Sequence, residues 1–200
     1  MVQRVDPVLV YRRLDAYRDR VSRELLSRFG SVGFDTPAPA FLVGFPRSGT
    51  TMTEQVMAAH PSVITSDENR LMVRLGRAVV EGAPDKLDVP ACLERLDEDR
   101  VRALRTVYWK EVEDRLGYTT ADLDGRVFVD KLPLNIVDLP MINAVFPDAK
   151  IVVALRDPRG DCLSGFMQWF VPNSAMVLLL PLGSTARLYA AGMGLYLDIK

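Results

Sequence analysis

Residues 44–51, which read GFPRSGTT, have the composition and the setting of a phosphate-binding loop. An apolar segment, 41–44, comes before them and predicts a buried strand, and the segment 52–59 that follows predicts a helix. Backbone N–H groups at the start of such a helix converge on one point, and the helix dipole adds positive potential there. Arg47 can add a two-pronged, charge-assisted contact. The loop therefore predicts a site for the phosphate group of a nucleotide.

The loop has the glycine spacing of an ATP-hydrolysing P-loop, but Thr50 stands where that motif carries lysine. Without the lysine, chemistry at the γ-phosphate of ATP lacks its main cation, so the loop suits a terminal phosphate or a 5′-phosphate better. A second observation instead favours a site that binds ATP with magnesium. The strand predicted at 126–130 ends in Asp130 like a magnesium-binding strand, and Thr51 offers another magnesium ligand. A magnesium-dependent P-loop kinase or NTPase is therefore the alternative.

Charged residues follow four predicted strands at the point where each strand ends. Arg47 follows the first strand, Glu68 the second, Lys131 the third and Arg156 the fourth. Ligands of an open parallel sheet bind outside the carboxyl ends of its strands, so these four residues are expected to converge. Ser164, on the helix after Arg156, can clamp a second phosphate together with that arginine. The set predicts a ligand that has more than one anionic group.

Arg156 and Ser164 also have a purely structural interpretation. Acidic residues follow Arg156 in the sequence, so its guanidinium can pair with Asp157 or Asp161 instead of a ligand. Ser164 is then a small residue that packs within its helix. The sequence alone leaves both interpretations open.

A general base is expected to be Glu68 rather than the single histidine, His60. The helix after the loop would carry His60 ~15 Å away from Thr50, since each helical residue rises 1.5 Å. His60 is therefore expected to bond backbone at the end of that helix. Glu68 is the carboxylate that a strand end places at the site, and its charge state would depend on burial and on Arg47 or Arg70 nearby.

The chain alternates between predicted strands and predicted helices. This order predicts an α/β fold, a P-loop-containing three-layer α/β/α arrangement with a parallel sheet. Strands are expected at 41–44, 63–65, 126–130 and 150–155. Helices are expected from Pro7 to Phe29 and at 52–59, 69–80, 98–116, 135–145, 157–167 and 184–200.

The composition excludes several classes of protein. The net charge is −1, so neither nucleic acid nor an anionic membrane is an expected partner. Cys92 and Cys162 are far apart in the sequence and have no metal-ligand spacing, which suits a reducing compartment. The N-terminus has no apolar signal segment, and the longest apolar run, 176–182, is too short to span a bilayer. A cytoplasmic protein without a membrane span is therefore expected.

Five sequence segments, taken in this order, resemble the sulfotransferase superfamily. They read FLVGFPRSGTT, EQVMAAHP, SDENR, VFVDKLPLN and FPDAKIVVALRDPRGDCLSGFMQ. The resemblance extends over residues 41–196 and is greatest to bacterial sulfotransferases with tetratricopeptide repeats and to tyrosylprotein sulfotransferase. It implies transfer of a sulfuryl group from 3′-phosphoadenosine 5′-phosphosulfate (PAPS) to an acceptor hydroxyl, without a metal ion.

The resemblance also implies a role for each residue of the site. Glu68 would be the catalytic base, Lys131 would stabilise the bridging oxygen as its bond to sulfur breaks, and Arg47 would assist catalysis. Arg70 would contact the acceptor, which is a peptide, a carbohydrate or a small molecule. The implied donor-binding residues are Arg47, Ser48, Gly49, Thr50, Thr51, Arg156 and Ser164.

The resemblance divides the chain in two. Residues 1–38 are expected to form an N-terminal helix and a linker, and residues 39–200 a sulfotransferase P-loop domain that is incomplete at its C-terminus. No complete tetratricopeptide repeat is visible. A truncated module that binds a partner without catalysis is therefore a third interpretation of the chain.

Overall fold

Four short strands form a parallel sheet in the computed structural model, which describes residues 6–83, 87–171 and 173–200. The strands lie in the order β2-β3-β1-β4, and all three neighbouring pairs are parallel. The predicted strands and their parallel arrangement are confirmed. The strands are β1 (Ala40–Gly44), β2 (Val63–Thr65), β3 (Val127–Lys131) and β4 (Ile151–Ala154).

Helices flank the sheet, which confirms the predicted α/β class. Across the described ranges, no helix combines the length and the apolar composition that a membrane span requires. Short 3-10 helices lie at Thr120–Leu123, Pro133–Asp138 and Met176–Leu179. The α-helices are α1 (Val8–Arg20), α2 (Arg23–Ser27), α3 (Thr50–Ala58), α4 (Leu71–Val80), α5 (Val89–Leu93), α6 (Glu98–Leu116), α7 (Leu139–Val145), α8 (Pro158–Phe166) and α9 (Leu182–Ile199).

The first predicted helix, from Pro7 to Phe29, is two helices in the structure. Val21 has an extended backbone, with φ −73° and ψ 121°, and it ends α1. Ser22 then caps α2, and its side-chain oxygen accepts the Leu25 N–H group, a role that serine fills well. Apolar residues at helical spacing continue across this break, so the periodicity does not reveal it.

The helix predicted at 135–145 begins as the 3-10 helix Pro133–Asp138 and becomes α-helical only in α7. Pro140 accounts for the change, because proline has no N–H group to bond the carbonyl four residues earlier. It is tolerated in the first turn of α7, where that bond is not needed. Helix α5, which was not predicted, is capped by Asp88, whose carboxylate accepts the Ala91 N–H group.

The N-terminal helices share a hydrophobic core with the sheet. Leu14 and Tyr17 of α1 are buried in the same cluster as Phe41 of β1. Helix α1 packs on α9 and on α5, so the first and the last helix of the chain are in contact. The division of the chain at residue 38 stays a prediction, and residues 1–5 lie outside the described part.

Residues 31–39 form neither helix nor strand, and Arg105 of α6 holds them against the body of the protein. The Arg105 guanidinium donates to the hydroxyl of Thr36 at 3.0 Å and to the Thr36 carbonyl. It also donates to the Val145 carbonyl and pairs with Asp148 at 2.8 Å. The buried arginine therefore fixes the linker on which β1, and the loop after it, depend.

Candidate active site

The phosphate-binding loop lies between β1 and α3 and contains two residues with left-handed backbone. Arg47 has φ +78° and Gly49 has φ +98°. A Cβ atom at Gly44 would lie 2.6 Å from Ser48 Oγ and 2.7 Å from the Ala154 carbonyl oxygen, so glycine is required there. Arg47 is not glycine, and its conformation costs ~1–3 kcal/mol. Such strain persists only where neighbouring contacts fix it.

The loop presents polar groups that an anion could satisfy. The Ser48 hydroxyl is buried, and its oxygen has no hydrogen-bond partner among the residues that the structure describes. Thr50, also buried, begins α3, whose first N–H groups have no carbonyl partner within the helix. A buried polar group without a partner is uncommon in folded proteins. The loop therefore fits a phosphate or sulfate group.

Arg156 and Ser164 lie beside this loop, at the same end of the sheet. Arg47 Nε donates to Ser164 Oγ at 3.2 Å, and Arg156 Nη1 donates to the Arg47 carbonyl at 3.1 Å. The second bond also helps to fix the strained backbone of Arg47. A cleft of about 370 Å³ opens at these three residues. One molecule with two anionic groups can therefore reach the loop and the Arg156–Ser164 pair together.

Asp157, the acidic residue directly after Arg156, does not pair with it. Asp157 caps α8 by accepting the Gly160 N–H group, and its carboxylate pairs with Arg159 at 3.0 Å. The side-chain hydrogen bonds from Arg159, with the backbone N–H groups of the cap, lower the pKa of Asp157 to about 2. The pairing of Arg156 with Asp157 is therefore wrong, whereas for Asp161 burial raises the pKa and the charge of Arg156 lies close enough to lower it in part.

Lys131 lies buried at the end of β3 and contacts three side chains. Its ammonium donates to Glu68 Oε1 at 2.6 Å and to Thr51 Oγ1 at 3.2 Å, and it lies 3.1 Å from Glu54 Oε2. The side chains of Lys131 and Glu54 are each 1% exposed, whereas that of Glu68 is 50% exposed. Burying an unpaired ion costs several kcal/mol, so the carboxylates are what allow a lysine at this position.

A strained turn between β2 and α4 presents Glu68 to the lysine. Asp67 and Glu68 have φ values of +46° and +59°. The Lys131 carbonyl accepts the Glu68 N–H group at 3.1 Å, and Glu54 Oε1 accepts the Asp67 N–H group at 3.1 Å. Ser66 Oγ accepts the Lys131 N–H group at 2.9 Å. These bonds fix the turn to β3 and α3, so the carboxylate and the ammonium remain together.

Glu54 is the residue of this site that sequence reasoning missed. It lies on α3, three residues after Thr51, and is almost fully buried. The available signal was an ionisable residue on the first turns of the helix that follows the phosphate-binding loop. Residues three apart lie on the same face of a helix, so a carboxylate there can reach whatever Thr51 contacts.

Asp130, the magnesium ligand of the alternative interpretation, does not face Thr51. Its carboxylate is buried and accepts bonds from the Tyr108 hydroxyl at 2.9 Å and the Asn135 amide at 3.3 Å. Adjacent strand residues point to opposite faces, so Lys131 faces the loop while Asp130 faces α6. Burial raises the pKa of Asp130 to about 7, although both hydrogen bonds lower it. The position beside Thr51 is taken by the lysine ammonium.

His60 lies two residues beyond the end of α3. Its Nδ1 atom accepts the Ser62 N–H group at 3.1 Å, which confirms the expected bond to backbone. The side chain is exposed and lines neither the cavity nor the cleft at the loop. The structure therefore places the histidine away from the groups that converge at Lys131.

A larger cavity of about 1000 Å³ adjoins the loop and Glu68. Arg70, at the start of α4, lines it together with Thr51 and Glu68. The cavity also extends between α1, α4 and the segment that contains the third 3-10 helix, where its walls are largely apolar. Apolar wall residues include Leu9, Val10, Met72, Val73, Val80, Phe170 and Met176. The cavity can therefore hold a second molecule next to Glu68 and Thr51, which are two of the partners of the buried Lys131.

Comparison with known proteins places these residues in a family. A model described as "Sulfotransferase family" matches residues 39–193, which include the phosphate-binding loop, Glu54, Glu68, Arg70, Lys131, Arg156 and Ser164. The match begins one residue before β1 and ends within α9.

Three curated proteins are similar to the chain over most of that region. An uncharacterised protein of Aquifex aeolicus is 26% identical over 151 residues, which cover 74% of this chain and 19% of that protein. The nodulation protein NoeE of Sinorhizobium fredii is 27% identical over 146 residues, covering 68% of this chain and 33% of NoeE. A Caenorhabditis briggsae protein named "Putative protein-tyrosine sulfotransferase" is 28% identical over 119 residues, which cover 60% of this chain and 39% of that protein. The chain thus spans less than two fifths of each relative's length.

Proposed function

Because the chain belongs to the sulfotransferase family, we propose that it transfers a sulfuryl group from PAPS to an acceptor hydroxyl. The observation that carries this proposal is the contact between Arg47 of the loop and Ser164, with Arg156 beside them. It supports two anion sites close together, as a donor with a 3′-phosphate and a 5′-phosphosulfate requires. A nucleotide with a single 5′-phosphate would use only one of them.

The loop residues would hold the 5′-phosphosulfate, and Arg156 with Ser164 would hold the 3′-phosphate. In the described structure the Arg47 side chain and Ser164 satisfy each other. A 3′-phosphate can take over this role, because its oxygens accept from both groups and the new bonds are charge-assisted. The Ser48 hydroxyl and the first N–H groups of α3 offer further donors to the other anion.

Lys131 and Glu68 would carry the chemistry of transfer, with the bound donor supplying the sulfuryl group. Glu68, half-exposed at the cavity, can accept the proton of the acceptor hydroxyl. Lys131 can stabilise negative charge on the leaving oxygen, since its ammonium lies next to the loop residue Thr51. Positioning and charge stabilisation then do the work that magnesium does in kinases.

The acceptor would occupy the cavity that Arg70 and Glu68 line. Its apolar walls suit a ring or an alkyl group next to the reacting hydroxyl, and Arg70 adds a charge to the lining. A peptide, a carbohydrate or a small molecule can each present such a hydroxyl. The name of NoeE refers to nodulation, and the name of the nematode relative refers to sulfation of protein tyrosine. The names of relatives therefore do not select one acceptor.

Isothermal titration calorimetry with adenosine 3′,5′-bisphosphate and adenosine 5′-phosphate tests the proposed donor. We expect the bisphosphate to bind at least ~10-fold more tightly, since hydrogen bonds to a charged group contribute ~1.5–3 kcal/mol. Ser164→Ala should reduce that preference and leave binding of the 5′-phosphate unchanged. Ser27→Ala, on the exposed face of α2, is the matched control. Equal binding of the two nucleotides would contradict the proposal, and no binding of either would favour a non-catalytic module.

A further inference from the structure

Glu54 is a buried carboxylate that has no role in the reaction proposed above. Its side chain is 1% exposed, although it lies only one turn into α3. Carboxylates are rarely buried to this extent without a cation and hydrogen bonds to offset the loss of water. Oε1 accepts the Asp67 N–H group, whereas Oε2 has no hydrogen-bond partner among the described residues and lies 3.1 Å from Lys131 Nζ in an ion pair.

The two carboxylates next to Lys131 differ in their surroundings. Glu54 is enclosed and anchored at its other oxygen, so it has no alternative position. Glu68 is 50% exposed, lines the cavity and bonds Lys131 with a single oxygen. Glu68 is therefore the partner of Lys131 that has room to change its contacts, and Glu54 is the enclosed one.

Proton uptake by Glu68 would leave the lysine with too little negative charge if Glu68 were its only partner. In the proposed reaction the acceptor oxygen bonds to sulfur, its proton passes to Glu68, and the bond between sulfur and the bridging oxygen breaks. Lys131 must stay charged throughout, because that charge stabilises the leaving oxygen. A second carboxylate keeps the ammonium paired while Glu68 is neutral.

We propose that Glu54 is the permanent counter-ion of Lys131 and thereby frees Glu68 to act as the base. This inference rests on the proposed sulfuryl transfer. Glu54 is a positioning residue, since it contacts Lys131 and the Asp67 N–H group rather than the reacting atoms. Its second contact also holds the strained turn that presents Glu68, so one side chain sets the geometry of both partners.

The test is a double-mutant cycle between Glu54→Gln and Lys131→Met. Glutamine keeps an oxygen for the Asp67 N–H group and removes only the charge. With PAPS as the varied substrate and a mixture of phenolic and carbohydrate acceptors, we expect E54Q to lower kcat about tenfold. The KM for PAPS and the affinity for adenosine 3′,5′-bisphosphate should stay within about twofold of the wild type. E54Q should add no further loss of kcat in the K131M background. Glu54→Asp, which keeps the charge, should recover part of the activity.

A merely structural role would give a different pattern. E54Q would then lower kcat by the same factor in both backgrounds, and that result would overturn the inference. Glu111→Gln is the matched control, because it removes a charge from a side chain that is 15% exposed and pairs with Arg115 on α6. It should leave kcat unchanged.

Thermal unfolding supplies a readout that does not need activity. E54Q should lower Tm by ~6 °C or more, as expected for a buried pair in a chain of this size, and Glu68→Gln by much less. The E54Q/K131M double variant should be more stable than K131M alone. Equal effects of E54Q and E68Q would overturn the inference. If the stability pattern holds but the wild type transfers no sulfuryl group, the proposed function fails instead.

Discussion

Two buried cations, Arg105 and Lys131, show how differently one protein can use a charge that it removes from water. Arg105 donates to two backbone carbonyls and the Thr36 hydroxyl and pairs with Asp148. The ring of Phe34 lies 4.4 Å from its guanidinium carbon. Each of these partners belongs to the linker or to the body of the protein, so the arginine joins fixed pieces of structure.

Lys131 has partners of another kind. Its ammonium contacts Thr51 and Glu68, which line the cavity, and a single fixed carboxylate, that of Glu54. Burial alone does not separate the two cations, because their side chains are 0% and 1% exposed. What separates them is whether a partner can change its contacts or its charge when a ligand arrives.

Lys131→Met gives the largest expected effect on function. Methionine retains the apolar stem and removes the charge, so kcat for sulfuryl transfer should fall ~10²–10³-fold, while binding of adenosine 3′,5′-bisphosphate persists. Steady-state kinetics and calorimetry on the same preparation measure both. Turnover within a few-fold of the wild type would show that the lysine, like Arg105, is only structural.

Arg105→Ala gives the opposite pattern. Loss of the guanidinium leaves the carbonyls of Thr36 and Val145 without their donors, so the free energy of unfolding should fall by about 3 kcal/mol. That corresponds to a decrease in Tm of roughly 6–12 °C for a chain of this length. Urea unfolding gives the first quantity and calorimetric scanning the second. Where the variant is folded, its kcat should match that of the wild type. A loss of kcat without a loss of stability would contradict the purely structural role of Arg105.

Asp130→Asn tests a third buried charge, next to Lys131 in the sequence but without a cation. The pKa of Asp130 is about 7 in the folded protein, above its ordinary value of 3.8, because of burial. Between about pH 4 and pH 7 the folded state therefore binds a proton that the unfolded state has lost, so stability falls as the pH rises. Across that interval the free energy of unfolding decreases by at most about 1.4 kcal/mol for each pH unit.

The measurement is the difference in Tm between Asp130→Asn and the wild type at pH 5 and pH 8. Other carboxylates cancel in this difference, because both proteins contain them. The asparagine variant should gain relative stability at pH 8. A difference that is the same at both pH values would show that the Asp130 carboxyl does not titrate in this range.

The sequence predicted the elements of the site better than the partners within it. The strand ends at Arg47, Glu68, Lys131 and Arg156 could be found because local patterns mark where strands stop, and parallel strands bring those ends to one edge. The break in the first helix at Val21 could not, since apolar spacing continues across it.

Partners depend on contacts between distant segments. Adjacent strand residues point to opposite faces, so the sequence implied that Asp130 and Lys131 diverge, but not which of them faces the loop. The ion pair between Lys131 and Glu54 joins residues 77 positions apart, and no local pattern specifies it. Only the packing of α3 on the sheet shows that the buried carboxylate belongs to the site.

In the proposed mechanism, protein side chains supply the charge that a metal ion supplies in other P-loop enzymes. The most direct test is nucleotide binding by calorimetry, with magnesium and with EDTA. We predict that adenosine 3′,5′-bisphosphate binds with the same affinity, within about twofold, in both conditions, and that ATP binds weakly in both. ATP binding that is tight and needs Mg²⁺ would contradict this mechanism.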